Sequence, residues 1–425
     1  MLKKFQIKLK REFVIVTLFL IAINVVLELY YLLFLSEQFN YLGFKFDFSL
    51  IKYIEIKLLL LAFIYFSYNT FNRSKFVFSI YILLMLFFFI PNAIIYAFMD
   101  HIRGPIYSVV LFLSLFMVIA PLKFKLKTIA TSINFKYIFL SILTLVLLTP
   151  IIIIFKNDFN LNTLFLKDIY ETREIFSDKI SGLANYFYNW DVKIVIPVIL
   201  AFLLIHKKYV LAAISFAVLI YLFIISGNKA VYMTSFVTIF FIFIGGDSYI
   251  KKIKLLLFFL ILALIAIPII DIYILNDYLL RGTFVMRVFF FPALLNYCYF
   301  DFFANAPLYF AENHFFNLFF TSPYALRSEY LISIKYFNTD EMYANNGIIT
   351  DGYKNLGYTG VFLLSSLFAV IFMFFNSIKI DAKYFGIFFI FVFFFLSTPM
   401  LTVIITGGLW ILMLFATVVM KKTNN

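Results

Sequence analysis

The sequence predicts an all-α polytopic integral membrane protein, with about twelve transmembrane helices and a large external loop carrying short amphipathic helices. Three observations predict it. Hydrophobic residues make up 64% of the 425-residue chain and charged residues only 13%, whereas a soluble domain carries about 25% charged residues. The apolar residues fall in runs of roughly twenty, the length at which a helix crosses a bilayer core. Cations cluster between those runs, as in Lys3–Lys4, Lys123–Lys125–Lys127, Lys207–Lys208, Lys251–Lys252–Lys254 and Lys421–Lys422. That is how topology determinants are spread over cytoplasmic loops.

The expected spans lie near 13–35, 51–69, 76–98, 106–122, 137–155, 190–206, 209–226, 230–246, 254–275, 359–377, 384–399 and 403–420. Together they make 1–425 one membrane domain. The first run exceeds the ~7–15 residues of a signal h-region and reads as a membrane helix. The last two runs are separated by Ser397-Thr398-Pro399 and Gly407-Gly408. Alternate loops hold Arg73/Lys75, the 123–127 cluster, Lys207/Lys208, the 251–254 cluster, Lys379/Lys383 and Lys421/Lys422. A cytoplasmic N-terminus puts all of them inside, and the C-terminus with them. The net charge of +13 forms no continuous stripe, which argues against nucleic acid as partner. With Cys298 the lone cysteine, no internal disulfide exists.

Two external segments are too long for turns, 156–191 and 276–358. Loops beyond about 12–15 residues are usually functional or disordered. The second is crowded with Phe, Leu and Tyr, as in Val288-Phe289-Phe290-Phe291-Pro292, so it cannot stay solvated. Short amphipathic or re-entrant helices roofing a pocket at the outer mouth are expected there.

Charges in or beside apolar segments are functional candidates. Arg281 and Arg287 follow the ninth span, and guanidinium groups suit phosphate oxygens as planar, always charged donors. The bland alternative is snorkelling to lipid headgroups. Lys229, in Ser226-Gly227-Asn228-Lys229, is a cation in a short outer turn, either an anion ligand or an interfacial anchor. His314 offers an imidazole that can take a proton from a hydroxyl, or is a satisfied polar residue. Arg327 is a further cation that can serve a phosphate or simply pair with Glu329. Asp351, before the tenth span, is a second candidate base or a helix cap. Glu28, Glu55 and Asp271 read as structural partners for Lys57 or other cations. The sequence carries no nucleotide-binding, paired-cysteine, His–Glu–x–x–His or dinucleotide motif, and no cofactor or metal is expected.

The run Arg287-Val-Phe-Phe-Phe-Pro292 through Tyr299-Phe-Asp301-Phe-Phe303, then Ala306-Pro307, resembles the large outer loop of Wzy-type oligosaccharide repeat-unit polymerases, the O-antigen and capsule polymerases. So does Asn346-Gly-Ile-Ile-Thr-Asp351-Gly-Tyr-Lys-Asn355-Leu-Gly357-Tyr-Thr-Gly360 entering a span, and Ser226-Gly-Asn-Lys229 opening the eighth. The overall topology is similar too. The paired Arg-x10-Gly motifs of some members are missing; Arg173 precedes Gly182 at another interval.

The resemblance implies a metal-independent glycosyltransferase of the bacterial inner membrane. Its substrate would be a polyprenyl-diphosphate-linked (undecaprenyl-type) oligosaccharide, polymerised into lipopolysaccharide O-antigen or capsule. A chain-length regulator would be a possible partner besides the bilayer. On that reading Arg281, Arg287, Arg327 and Lys229 hold the diphosphate and His314 or Asp351 activates the acceptor hydroxyl. The rivals are a lipid-linked oligosaccharide flippase, since a dozen spans suit a transporter, and an O-antigen ligase using the same donor.

Overall fold

The computed structural model describes residues 2–126, 131–165, 167–228, 230–313, 316–345 and 347–422, with backbone alone for 2–9, 230 and 232. Helix takes up 77% of the chain, and among the described residues there is no β-strand, only the isolated bridges Asp47–Met99 and Ile380–Lys421. The main helices are α1 (Lys10–Gln38), α2 (Leu50–Arg73), α3 (Lys75–Phe98), α4 (Gly104–Ile119), α5 (Ile133–Ile154), α6 (Gly182–Ile205) and α7 (Tyr209–Ser226). They continue with α8 (Ala230–Phe243), α9 (Tyr249–Leu275), α10 (Arg281–Phe302), α11 (Ser328–Phe337), α12 (Ile348–Ile378), α13 (Phe385–Phe394) and α14 (Leu409–Val418).

Eight described helices are long and apolar enough to cross a membrane: α1, α3, α5, α6, α7, α9, α10 and α12. This is a multi-pass membrane protein. Of the remaining expected spans, α4, α8, α13 and α14 are apolar but shorter, and α2 carries Lys52, Glu55, Lys57 and Arg73 within its 24 residues. One of the eight, α10, falls inside the segment read from the sequence as an external loop. It is also the least apolar of them, with a mean hydropathy of 1.3.

The chain forms two compact units. The first comprises residues 1–123, 250–376 and 392–400. At its heart is α3, whose most apolar stretch is entirely buried. It is apolar on every side, and such a helix belongs in an interior. Phe63 of α2 meets Phe89, and Phe112 of α4 meets Phe88, with ring centres 5.4 and 5.2 Å apart. Ser74 caps α3 by accepting from Val77 N and donates to Asn376 Oδ1 at 2.7 Å. The Asn376 amide in turn donates to the carbonyls of Ala120 and Pro121 at 3.2 Å, satisfying the end of α4. Glu28, buried in α1, pairs with Lys57 and accepts from Asn24 at 2.7 Å.

Where α10 sits follows from what its two ends touch. At its start, Arg281 pairs with Asp271 near the end of α9 and lies over the Phe34 ring near the end of α1. Toward its other end, Tyr297 donates to Asn92 O at 2.8 Å and stacks on His101, just beyond α3. The ends of α1 and α3 lie at one face, because the strap leading into α2 bonds Asp47 N to Phe98 O and Ser49 N to Ala97 O. Both ends of α10 therefore meet the same face of this unit.

Helix α12 starts eleven residues before the expected span, but it is broken. Leu356 (φ −137°, ψ 18°) and Gly357 (φ 62°, ψ −147°) leave helical geometry, so the straight part begins where the span was expected. The two arms meet at Gly352 and Gly360. A Cβ on Gly352 would come within 2.7 Å of the Gly360 carbonyl carbon, so only glycine allows this approach.

The second unit comprises 124–249, 377–391 and 401–425. Gly408 turns the chain into α14 at φ 74°, and a Cβ there would meet the Trp190 ring at 2.8 Å. Trp190 donates to Ile405 O at 2.8 Å and packs edge-on against Trp410. The segment before α6 carries a short helix, Ile169–Lys179, whose Arg173 donates to Gly227 O at 3.1 Å.

Replacing Gly352 with alanine sets a methyl against backbone that has no room to give. The expected cost is about 1–3 kcal/mol, seen as a lower thermal midpoint in detergent than for an alanine at Gly282, where a Cβ meets only the Phe39 ring at 3.4 Å.

Candidate functional site

The segment between α9 and the straight part of α12 carries both a polar cluster and an open cavity. From Arg281 to Phe290 the helix α10 is wound in wide π turns, a rare geometry that recurs at functional sites. It sends the two arginines different ways. Arg281 is 4% exposed. Its backbone N–H and its Nε donate to Asp271 Oδ2 at 2.8 and 3.1 Å, and its Nη2 donates to Asp277 O at 3.0 Å. Leu280 N donates to the other Asp271 oxygen at 3.0 Å. Arg281 thus closes the turn between α9 and α10.

Arg287 faces outward instead. It lines a cavity of about 530 Å³ with Tyr41, Met286, Phe291, Pro292 and Tyr343, among others. Among the described residues it has no ion pair and no hydrogen bond. Arg287 is exposed, and an exposed guanidinium beside aromatic and apolar side chains is a candidate anion ligand. Asn345 and Ser397 add polar groups to the same wall.

The polar cluster ties this segment down. Lys354 Nζ lies 2.8 Å from Glu312 Oε2 and 2.7 Å from Ser328 Oγ. Glu312 also accepts from the N–H and the hydroxyl of Ser328. Burial alone would raise the Glu312 carboxyl's pKa, but Lys354 and the Ser328 donors outweigh it and hold it below the usual range. Ser328 opens α11, so one ion pair joins three chain segments. Asp351 is fully enclosed, with one oxygen accepting from Met400 N at 2.8 Å and the other from Asn355 Nδ2 at 3.0 Å. It caps the chain emerging from Pro399 and is not open to a substrate. Asn355 Oδ1 accepts from Phe310 N at 2.8 Å.

Arg327 is 62% exposed at its side chain and lies 3.7 Å from the buried Glu329. Lys229 and His314 fall outside the described residues. Arg281, Asp271 and Asp277 therefore form one group, Asp351, Lys354 and Glu312 a second, and Arg287 stands apart from both.

Sequence reasoning passed over Glu312 and Lys354 as site residues. The signal for Lys354 was present: it is a lone cation three residues after Asp351 on one helical arm, where a buried charge needs a partner. No family model, no curated protein and no solved structure matches the chain.

Replacing Lys354 with alanine strands a buried carboxylate, and the expected loss is about 3–5 kcal/mol. The double variant Lys354→Met with Glu312→Gln recovers much of it, as read by denaturation in detergent. The depressed Glu312 pKa also sets a pH dependence. The unfolded chain takes up the proton first on acidification, so the stabilisation is complete above the ordinary glutamate range. It is lost as pH falls through the folded-state value. Glu312→Gln is expected to be less stable at neutral pH and to show a shallower acid dependence.

Proposed function

We propose that the protein is a membrane glycosyltransferase that polymerises polyprenyl-diphosphate-linked oligosaccharide repeat units into surface polysaccharide, O-antigen or capsule. One observation carries this reading: the unpaired Arg287 guanidinium in a 530 Å³ cavity walled by apolar and aromatic side chains. A lipid diphosphate asks for that pairing of a cation with an apolar wall. The chain crosses the bacterial inner membrane about twelve times with both termini in the cytoplasm. Helix α10 lies across the outer ends of its neighbours instead of crossing, in keeping with the single face that its two ends meet.

In the transfer, the acceptor hydroxyl attacks the anomeric carbon of the donor chain. A new C–O bond forms, the bond to the lipid diphosphate breaks, and the hydroxyl proton passes to a base. Charge builds on the departing diphosphate, and Arg287 is placed to stabilise it without a metal. Arg327 is assigned to the same anion. Arg281 is assigned to positioning, since its donors are committed to Asp271 and Asp277. Asp351 is a positioning residue for the same reason, which leaves His314 as the proposed base.

Arg287→Ala, at undiminished membrane abundance, is expected to abolish long-chain product. Arg287→Lys should retain a small part of it, because a point charge replaces a bidentate donor. Undiminished polymer in Arg287→Ala removes the residue from the mechanism. Polysaccharide ladders from a deletion strain separate the neighbouring readings. Single-repeat product marks a polymerase, lipid-linked long chains mark a ligase, and repeat units held on the cytoplasmic leaflet mark a flippase.

A further inference from the structure

A second cavity of about 420 Å³ opens in the first unit where α10 ends and α12 breaks, within the size range of small-molecule sites. Its wall includes Phe303, Tyr309, Tyr353, Tyr358 and Thr359. Among the described residues no charged one lines it, so none of them matches an ionic ligand. It offers ring faces, four hydroxyl groups and backbone polar groups. Tyr309 and Tyr358 are 49% and 57% exposed, leaving ring surface free to be covered.

The rings are held in place. Tyr353 stacks on Phe300 with centres 3.7 Å apart, and Tyr358 stands edge-on to Tyr353 at 5.3 Å. Tyr309 and Phe310 both adopt left-handed backbone, at φ 49° and 63°. That conformation is costly for bulky residues and persists only where the surroundings impose it, often at ligand clamps. Here Leu308 N and Tyr309 N bond the carbonyls of Lys354 and Asn355 at 2.8 and 3.0 Å. The strained pair is pinned to the arm of α12 that also carries Lys354.

This cavity is connected to the first by a single helix. Arg287 lines the first cavity from the first half of α10, and Phe303, just past the end of α10, lines the aromatic cavity. They are sixteen positions apart, roughly 24 Å at 1.5 Å per residue. A ligand with an anion at one end and neutral groups further along spans that interval.

We infer that the aromatic cavity formed by Tyr309, Tyr353 and Tyr358 is a sugar-binding subsite, which takes neutral pyranose rings of the oligosaccharide several units from the diphosphate. It rests on the proposed function for its role, but not for its chemistry. The positive edge of C–H bonds on a pyranose face meets the negative face of a phenol ring, while the sugar hydroxyls meet the tyrosine and threonine hydroxyls.

The test is saturation-transfer NMR on the full-length protein in detergent, with methyl glycosides of glucose, galactose and mannose as probes. Transfer to ring C–H protons of at least one glycoside is expected. It should survive in Tyr358→Phe and weaken about tenfold in apparent affinity in Tyr358→Ala, the size of one aromatic contact. Tyr309→Asn, which keeps a residue tolerant of left-handed backbone, should weaken it similarly. No transfer to any glycoside, or transfer unchanged in both Tyr358→Ala and Tyr309→Asn, overturns the subsite. Arg287→Ala is expected to keep the sugar signal while losing polymer. If it keeps both, the polymerase reading fails and the sugar site stands.

Discussion

The architecture of the segment between α10 and α12 depends on one buried interaction, the Lys354 ammonium held between Glu312 and Ser328. A lysine that is 4% exposed at its side chain must be paired, because an uncompensated charge in a low-dielectric interior is far more costly than any contact it could make elsewhere. That requirement fixes the segment around Glu312, the start of α11 and the first arm of α12 relative to one another. Part of the aromatic cavity's wall follows, since Tyr309 precedes Glu312 and Tyr353 lies on that arm of α12. Leu308 N bonds the carbonyl of Lys354 itself, and the N–H groups of Tyr309 and Phe310 bond Asn355.

A second constraint is that helices broken inside an apolar bundle must find new partners for the backbone groups they release. The break at Ser397–Pro399 is answered from α12. Ile348 N bonds Phe395 O at 3.0 Å, and the Asp351 carboxylate takes Met400 N. Gly347 fits against the carbonyls of Phe395 and Leu396 where a side chain would collide. The first arm of α12 is therefore braced on both sides, by the break beyond α13 and by the ion pair of Lys354 with Glu312. A helix so held is a rigid base for groups that must meet a substrate in fixed geometry.

Much of this was legible in the sequence. Helical class, multi-pass character and the break near Ser397-Thr398-Pro399 follow from apolar run length and from proline chemistry, both local properties. The pairing of Glu28 with Lys57 was also within reach, since few charges in spans leave few possible partners. The lengths of α4, α8, α13 and α14 were not legible, because hydropathy continues past a helix end when the chain stays buried in an irregular form. Nor was α10, whose ten-residue π stretch packs against Tyr31 and Phe87 from elements far off in sequence. The division into two units left no trace either, since both are equally apolar.

The two arginines of α10 show most sharply where sequence reasoning stops. Arg281 and Arg287 have the same chemistry, lie within six positions, and carried equal weight as phosphate ligands. Their difference comes from geometry alone. The carboxylate of Asp271 accepts from two successive backbone N–H groups as well as from the Arg281 side chain, so this guanidinium completes a cap that the turn already needs. Among the described residues no such acceptor meets Arg287, which shares its cavity with three rings, a proline, Asn345 and Ser397. Exposed and without a carboxylate, its guanidinium keeps its donors free for a partner from outside the fold. That difference is the physical reason for proposing Arg287, and not Arg281, as an anion ligand.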